Sequence, residues 1–218
     1  RNVFVAVVCG DGSHVVSFAL ENRSGTDAAV NFPRNAVAVA LGVNAAVNEE
    51  AFFNGNGVGK PLGILADNGG AEVGVTAASA TAITADEIID LFYSLDVPYR
   101  KNAIWVLNDA TVRAIRKLKD NSGQYLWQPP LQAGEPGTCL GYKIYTSPYF
   151  PVPAAGGAAV AFGDFSYYNI GDRGTRSFAE LKELFAGNGM VGFLAKERVD
   201  GKLILPEAVQ LLKMKATA

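Results

Sequence analysis

Between residues 36 and 61 the chain commits to one local structure and then breaks it off. Val37, Leu41, Ala45 or Val47, Ala51 and Phe52 recur at helical spacing, and alanines fill many of the positions between them. Alanine is the best helix former, and its small side chain lets neighbouring backbones approach closely. The pattern predicts a long packed helix over 36–53. It stops at Asn54-Gly55-Asn56-Gly57, and Pro61 after Lys60 bars its continuation. Gly55, Gly57, Gly59 and Pro61 are therefore expected to form a structural turn.

The segments on either side read as mixed structure. Val3 to Val8 is a short apolar run, a Gly-Asp-Gly turn follows, and His14 to Leu20 resumes strand character, so a hairpin is expected. Residues 22–35 read as a loop or junction, and 73–83 as an extended, loosely constrained link. Thr84-Ala85-Asp86-Glu87 is a capping box for a helix from 85 to about 95, with Ile88, Ile89, Leu91, Phe92 and Leu95 as its buried face. Ala103 to Leu107 is a strand. Asn108 or Asp109 caps a second helix whose inner stripe is Val112, Ile115 and Leu118 against Arg113, Arg116, Lys117 and Lys119. Further strands are expected at 142–146, 158–162, 165–170, 189–196 and 203–215. The fold class is α+β, helices with mainly antiparallel sheets.

Several chemistries are poorly supported by the residues. With 19 basic and 21 acidic residues the net charge is −2, and the cations are not gathered into an arm, so direct sequence-specific DNA binding is disfavoured. No long apolar span or secretory apolar stretch points to a membrane or an export route. Cys9 and Cys139, far apart in sequence, read as reduced thiols and lack neighbours at metal-ligand spacing. Only 18% of residues are charged, and such a surface is inexpensive to bury against other subunits.

The glycine-rich segment 55–61 resembles a phosphate cradle, but Asn54 stands where the first glycine of that loop is required. Pro61 stands where a metal-binding hydroxyl is needed, and the segment follows a helix rather than a strand. His14, the one histidine, has no nucleophile relay beside it, and Asp86 and Glu87 are accounted for by capping. No catalytic residue, cofactor or metal is expected. The aromatic, turn-rich stretch 124–141 carries large side chains that are costly to leave in water, so Tyr125, Trp127 and Leu131 are expected to form a contact face between subunits, with local core packing as the alternative.

Three segments, taken together, resemble the HK97-like major capsid family of tailed bacteriophages, which includes prophage and gene transfer agent capsids. The first runs from Glu49 to Leu65 through Asn54-Gly55-Asn56-Gly57-Val58-Gly59-Lys60-Pro61, like the end of that family's spine helix and the turn after it. The second is Lys101 to Asn108, the following helix, and Gly123-Gln124-Tyr125-Leu126-Trp127-Gln128-Pro129. The third is Ala161 to Tyr168, then Asp172-Arg173, with Arg198-Val199-Asp200-Gly201-Lys202 near the end. The resemblance covers roughly residues 36–215.

The resemblance implies an HK97-like fold with peripheral and axial domains. Residues 1–35 would be an N-terminal hairpin or arm remnant, 36–95 the spine helix and part of the peripheral domain, 96–195 mainly the axial domain, and 196–218 a return to the peripheral domain. Relatives carry a long N-terminal arm and an extended hairpin before the spine helix, and residues 1–35 leave little room for both; either these are short or segments lie before Arg1. Some relatives cross-link through a Lys–Asn bond assisted by a Glu. That trio is not matched here, so no cross-link is assigned.

The implied function is that of a shell subunit which self-assembles as pentamers and hexamers around phage DNA, enclosed non-specifically. The implied location is a virion capsid assembled in the bacterial cytoplasm, with portal and scaffold proteins as further partners and no membrane. An encapsulin-like compartment shell and a small enzyme with a composite active site are the alternatives.

Overall fold

The computed structural model describes residues 3–9, 14–20, 49–119, 124, 137–172, 174, 177–181 and 191–217. The chain forms two compact units, the first from 1–63 and 170–201, the second from 64–169 and 202–218. These breakpoints fall elsewhere than the domain boundaries expected from the sequence.

In the first unit, β1 (Val3–Cys9) and β2 (His14–Leu20) pair antiparallel in full register, Val3 opposite Leu20 and Cys9 opposite His14. This is the expected hairpin. On its other side β1 pairs parallel with β10 (Val191–Glu197), and β10 pairs antiparallel with β9 (Ser177–Leu181), giving the order β2-β1-β10-β9. The expected helix over 36–53 is described over 49–54 (α1), and residues 36–48 lie outside the described residues.

The second unit is built on a six-stranded sheet in the order β3-β12-β7-β4-β6-β5. These strands are β3 (Glu72–Thr76), β4 (Ile104–Leu107), β5 (Thr138–Cys139), β6 (Tyr142–Thr146), β7 (Ala158–Gly163) and β12 (Val209–Lys213). At its centre β7 runs antiparallel to both β12 and β4, while β3 and β6 join as parallel neighbours of β12 and β4. Strand side chains alternate between faces. Register therefore places Trp105, Leu107, Ile144, Val160, Phe162 and Leu212 on one face, and helices α2 (Ala85–Ser94) and α4 (Asp109–Arg116) cover it with Ile88, Leu91, Leu95, Val112 and Ile115. Val106, Ala161 and Leu211 on the opposite face are also buried, which is why β7 is almost wholly apolar. Each large side chain removed from water contributes about 1.5–3 kcal/mol.

Local signals place the helices. In α2 the Thr84 side chain accepts from Glu87 N, and Glu87 Oε2 accepts from Thr84 N at 2.9 Å. The same carboxylate reaches further: its Oε1 accepts from Ala78 N at 2.8 Å, so one buried side chain caps the helix and ties down the 77–84 connection. Replacing Glu87 with Ala removes two charge-assisted bonds and strands two amides. We expect it to cost about 2 kcal/mol, with Glu87→Gln in between, read as a fall in melting temperature. Asn108 caps α4 by accepting from Ala110 N at 3.0 Å, and its amide donates to Phe150 O at 2.8 Å. Between the two helices lies the one-turn α3 (Val97–Arg100), with Pro98 in its first turn.

Two expected strands are divided. Residues 165–170 begin as a 3-10 turn, Phe165–Tyr167, because buried Asp164 accepts from Ser166 N at 2.9 Å; β8 (Tyr168–Asp172) follows. Residues 203–215 are broken at Pro206, which opens a second 3-10 turn, Pro206–Ala208, between β11 (Val199–Leu203) and β12. β8 and β11 pair as a two-stranded sheet. Among the described residues no helix is long and apolar enough to cross a membrane.

Candidate functional site

The turn expected at 55–61 has a defined build. Gly55 N donates to Ala51 O at 2.8 Å as the last bond of α1, and the chain then doubles back so that Gly63 N donates to Gly55 O at 2.8 Å. Asn56 and Leu62 form an antiparallel bridge across the loop. A Cβ on Gly55 would overlap the carbonyl oxygens of Pro61 and Ala51, and one on Gly63 would overlap Phe53 O and lie 2.6 Å from Gly55 N. Backbone therefore lies directly on backbone at these two positions, which only glycine permits. Gly57 (φ 75°) and Gly59 (φ 66°) take left-handed conformations at the tip. Pro61 is buried, whereas Val58 is 78% exposed and Lys60 is exposed. Amides that a phosphate would need are already engaged, Val58 N by Asn56 Oδ1 at 3.1 Å and Leu62 N by Gly201 O at 2.8 Å.

Tyr125, Trp127 and Leu131, the expected contact face, lie outside the described residues. The chain around them is described up to Lys119, at Gln124, and again from Gly137. After that return, β5 and β6 are joined by Leu140 (φ 49°) and Gly141 (φ 83°), the pair of left-handed residues that a primed two-residue hairpin needs. Leu140 is half-exposed and borders an open apolar groove of about 280 Å³ lined by Ile88, Ile89, Ile115, Leu118 and Cys139. Cys139 is a free thiol pushed up to about 11 by burial, so it stays protonated at neutral pH, and its carbonyl accepts from Trp105 Nε1 at 3.0 Å.

The outer side of α2 carries a feature that reading the sequence missed. Ile89, expected in the core, is 42% exposed, because consecutive residues lie 100° apart on a helix and Ile88 takes the inward position. Tyr93 is 67% exposed and Val97 71% exposed. Tyr93 is nevertheless held: the Arg100 guanidinium stands 5.4 Å from its ring centroid and 5.0 Å from that of Phe92, and Arg100 donates to Leu95 O at 2.8 Å and Tyr93 O at 3.1 Å. The following turn is fixed by Tyr99, whose hydroxyl donates to Glu207 Oε1 at 2.6 Å. That hydrogen bond, with desolvation and nearby negative charge, raises the phenol to about 12. Among the described residues no group of three or more His, Cys, Asp or Glu side chains is placed to hold a metal ion.

Comparison with known proteins assigns the chain to a class. The phage capsid family model matches residues 26–214. The capsid of an empty GTA particle computed with C5 symmetry superposes with a TM-score of 0.76 at 30% identity, covering 94% of this chain and 78% of that one. The capsid of the native GTA particle gives 0.75 at 30% identity, covering 93% and 76%. A protein of Gordonia phage Cozz shares the fold at a TM-score of 0.60 and 13% identity, covering 94% and 75%. No curated protein sequence matches. With the matched family spanning most of its length, the chain belongs to the HK97-like phage capsid family, as a structural subunit of a self-assembling capsid shell in a virion.

Proposed function

We propose that this chain closes into pentameric and hexameric rings, that the rings build a shell around DNA, and that the particle is of the gene transfer agent type. The observation that carries the reading is the likeness to GTA capsids at 30% identity over nearly the whole chain, against 13–15% for phage proteins such as that of Gordonia phage Cozz. A net charge of −2 suits a wall that encloses a polyanion without gripping it. The first compact unit, which holds α1, would serve as the peripheral domain and the second as the axial domain near the ring centre. Portal and scaffold proteins are proposed as further partners, and the bacterial cytoplasm as the place of assembly. Tyr125, Trp127 and Leu131 are proposed to lie between subunits, where an aromatic anchor contributes about 2 kcal/mol or more.

Negative-stain microscopy of the purified chain tests the reading. Rings or shells are expected, and nuclease-protected DNA within particles from the producing cell should map to the host chromosome at large. Compact monomers at every concentration would refute the shell, and protected DNA confined to one phage genome would refute the gene transfer agent assignment.

A further inference from the structure

We propose that Asn56 is a site of spontaneous covalent modification: the backbone nitrogen of Gly57 attacks the Asn56 side-chain carbonyl, ammonia leaves, and water opens the resulting ring to an aspartyl or isoaspartyl link. The loop carries its own comparison, because Asn54-Gly55 and Asn56-Gly57 set the same pair of residues back to back. Asparagine is chemically labile, and a following glycine has no Cβ to shield the attacking nitrogen. The fold treats the two pairs oppositely. Gly55 is buried and its N donates to Ala51 O at 2.8 Å, so attack on Asn54 would first have to break the last bond of α1. Asn56 and Gly57 are both exposed at the tip, and Gly57 N makes no hydrogen bond with any described residue. The Asn56–Leu62 bridge is held from the helix side, by Gly63 N on Gly55 O.

One contact favours reaction at Asn56 in particular. Val58 N donates to Asn56 Oδ1 at 3.1 Å, which draws electron density from Cγ and steadies the oxygen on which negative charge develops as the nitrogen adds. The same bond closes a ring around Gly57, so the side chain is held against the chain rather than loose in water. Water is the only co-reactant needed. Gly57 N gives up its proton and bonds to Asn56 Cγ; the Cγ–Nδ2 bond breaks, and Nδ2 leaves as ammonia with that proton. Water then opens the cyclic imide at one of its two carbonyls. Opening between Cγ and the nitrogen restores the main chain with an aspartate at position 56, whereas opening at the main-chain carbonyl routes the chain through Cγ and lengthens it by one carbon. Nothing is oxidised or reduced. Either product places a negative charge at the tip that also carries exposed Lys60, where Asn56 had none.

Peptide mapping by mass spectrometry, on the full chain aged in mildly alkaline buffer, tests the site. Asn56 should convert about tenfold faster than Asn54 or more, because a hydrogen bond must open before Asn54 can react. The rate at Asn56 should rise with pH, since the attacking amide has to lose its proton. In the chain unfolded in urea the two residues should convert at similar rates, as both precede glycine; on folding, Asn56 should keep most of that rate and Asn54 should lose it. Gly57→Ala sets a Cβ beside the attacking nitrogen and should slow conversion of Asn56 about tenfold in the folded chain while leaving Asn54 unchanged. Equal rates at the two residues in the folded chain would overturn the proposal. So would conversion of Asn56 that is much slower folded than unfolded, which would mean that the loop protects it, or conversion indifferent to Gly57→Ala in a variant whose far-UV spectrum matches the parent.

Discussion

Phe162→Ala should lower the stability of the second unit by about 3–5 kcal/mol, enough to leave much of the chain unfolded at assembly temperatures. Phe162 is fully buried on the central strand of the sheet. Its ring stacks on Trp105 with centroids 4.1 Å apart and meets Tyr142 edge-on at 5.4 Å and Phe92 at 5.6 Å. Register explains the stack, since Trp105 and Phe162 are direct cross-strand partners of β4 and β7. Truncation removes the transfer free energy and leaves a cavity that four elements bound and none can fill alone. Trp105→Phe separates two contributions: it retains an aromatic ring but leaves Cys139 O without its donor, so a smaller cost of about 1–3 kcal/mol is expected. Chemical denaturation of each variant, followed by aromatic circular dichroism, checks the order. Equal stability of Phe162→Ala and parent would show that this face is not the core.

Where structure was legible in the sequence, the signal was local. The β1–β2 hairpin follows from two apolar runs flanking a glycine turn, α2 from a four-residue capping box, and the end of α1 from a glycine cluster before a proline. The errors came where a short range decides little. Residues 73–83 read as a loose link because nothing nearby shows that Glu72–Thr76 pairs in parallel with Gln210–Lys213, more than a hundred residues away. Residues 203–215 read as one strand because the apolar run outweighed Pro206, although proline cannot donate within a central ladder.

The candidate contact faces were the least legible part, for a related reason. Ile88 and Ile89 are the same residue type side by side, and only the tertiary position of the sheet decides that one is buried and the other half-exposed. Tyr93 reads as another hydrophobic residue at the end of a helix until Arg100, seven residues on, is seen over its ring. Aromatic content alone directed the sequence reading to Tyr125 and Trp127, whereas exposure and clamping direct attention to Tyr93. The glycine turn was legible as a turn, but not the reason for its first glycine: Gly55 has no positive φ, and its requirement comes from the Pro61 carbonyl packed against it.

Gly55→Ala should be the most damaging single change in the first unit, costing about 3 kcal/mol or more from the addition of one methyl group. At about 2–4 °C per kcal/mol for a chain of this size, the melting temperature should fall by roughly 6–12 °C. The added Cβ overlaps two carbonyl oxygens, those of Pro61 and Ala51, which belong to the returning strand and the last helical turn and are not flexible side-chain ends. Relief requires separating the strands of the loop. That stretches the Gly63 N to Gly55 O bond and the Asn56–Leu62 bridge, and the next bond along, Leu62 N to Gly201 O, is drawn with them. Gly63→Ala meets Phe53 O from the other side and should do comparable harm. Gly57→Ala differs in kind: its Cβ would touch only the Leu62 side chain, nearest at Cδ1 3.2 Å away, so the cost is that of a left-handed alanine, about 1 kcal/mol. Val58→Ala at the exposed tip should change the melt by no more than about 0.5 kcal/mol. The expected order is therefore Gly55 and Gly63, then Gly57, then Val58, read by thermal melts at a concentration too low for rings, since assembly itself raises apparent stability. If Gly55→Ala melts with the parent, backbone does not lie on backbone in this loop, and the account of how α1 ends is wrong.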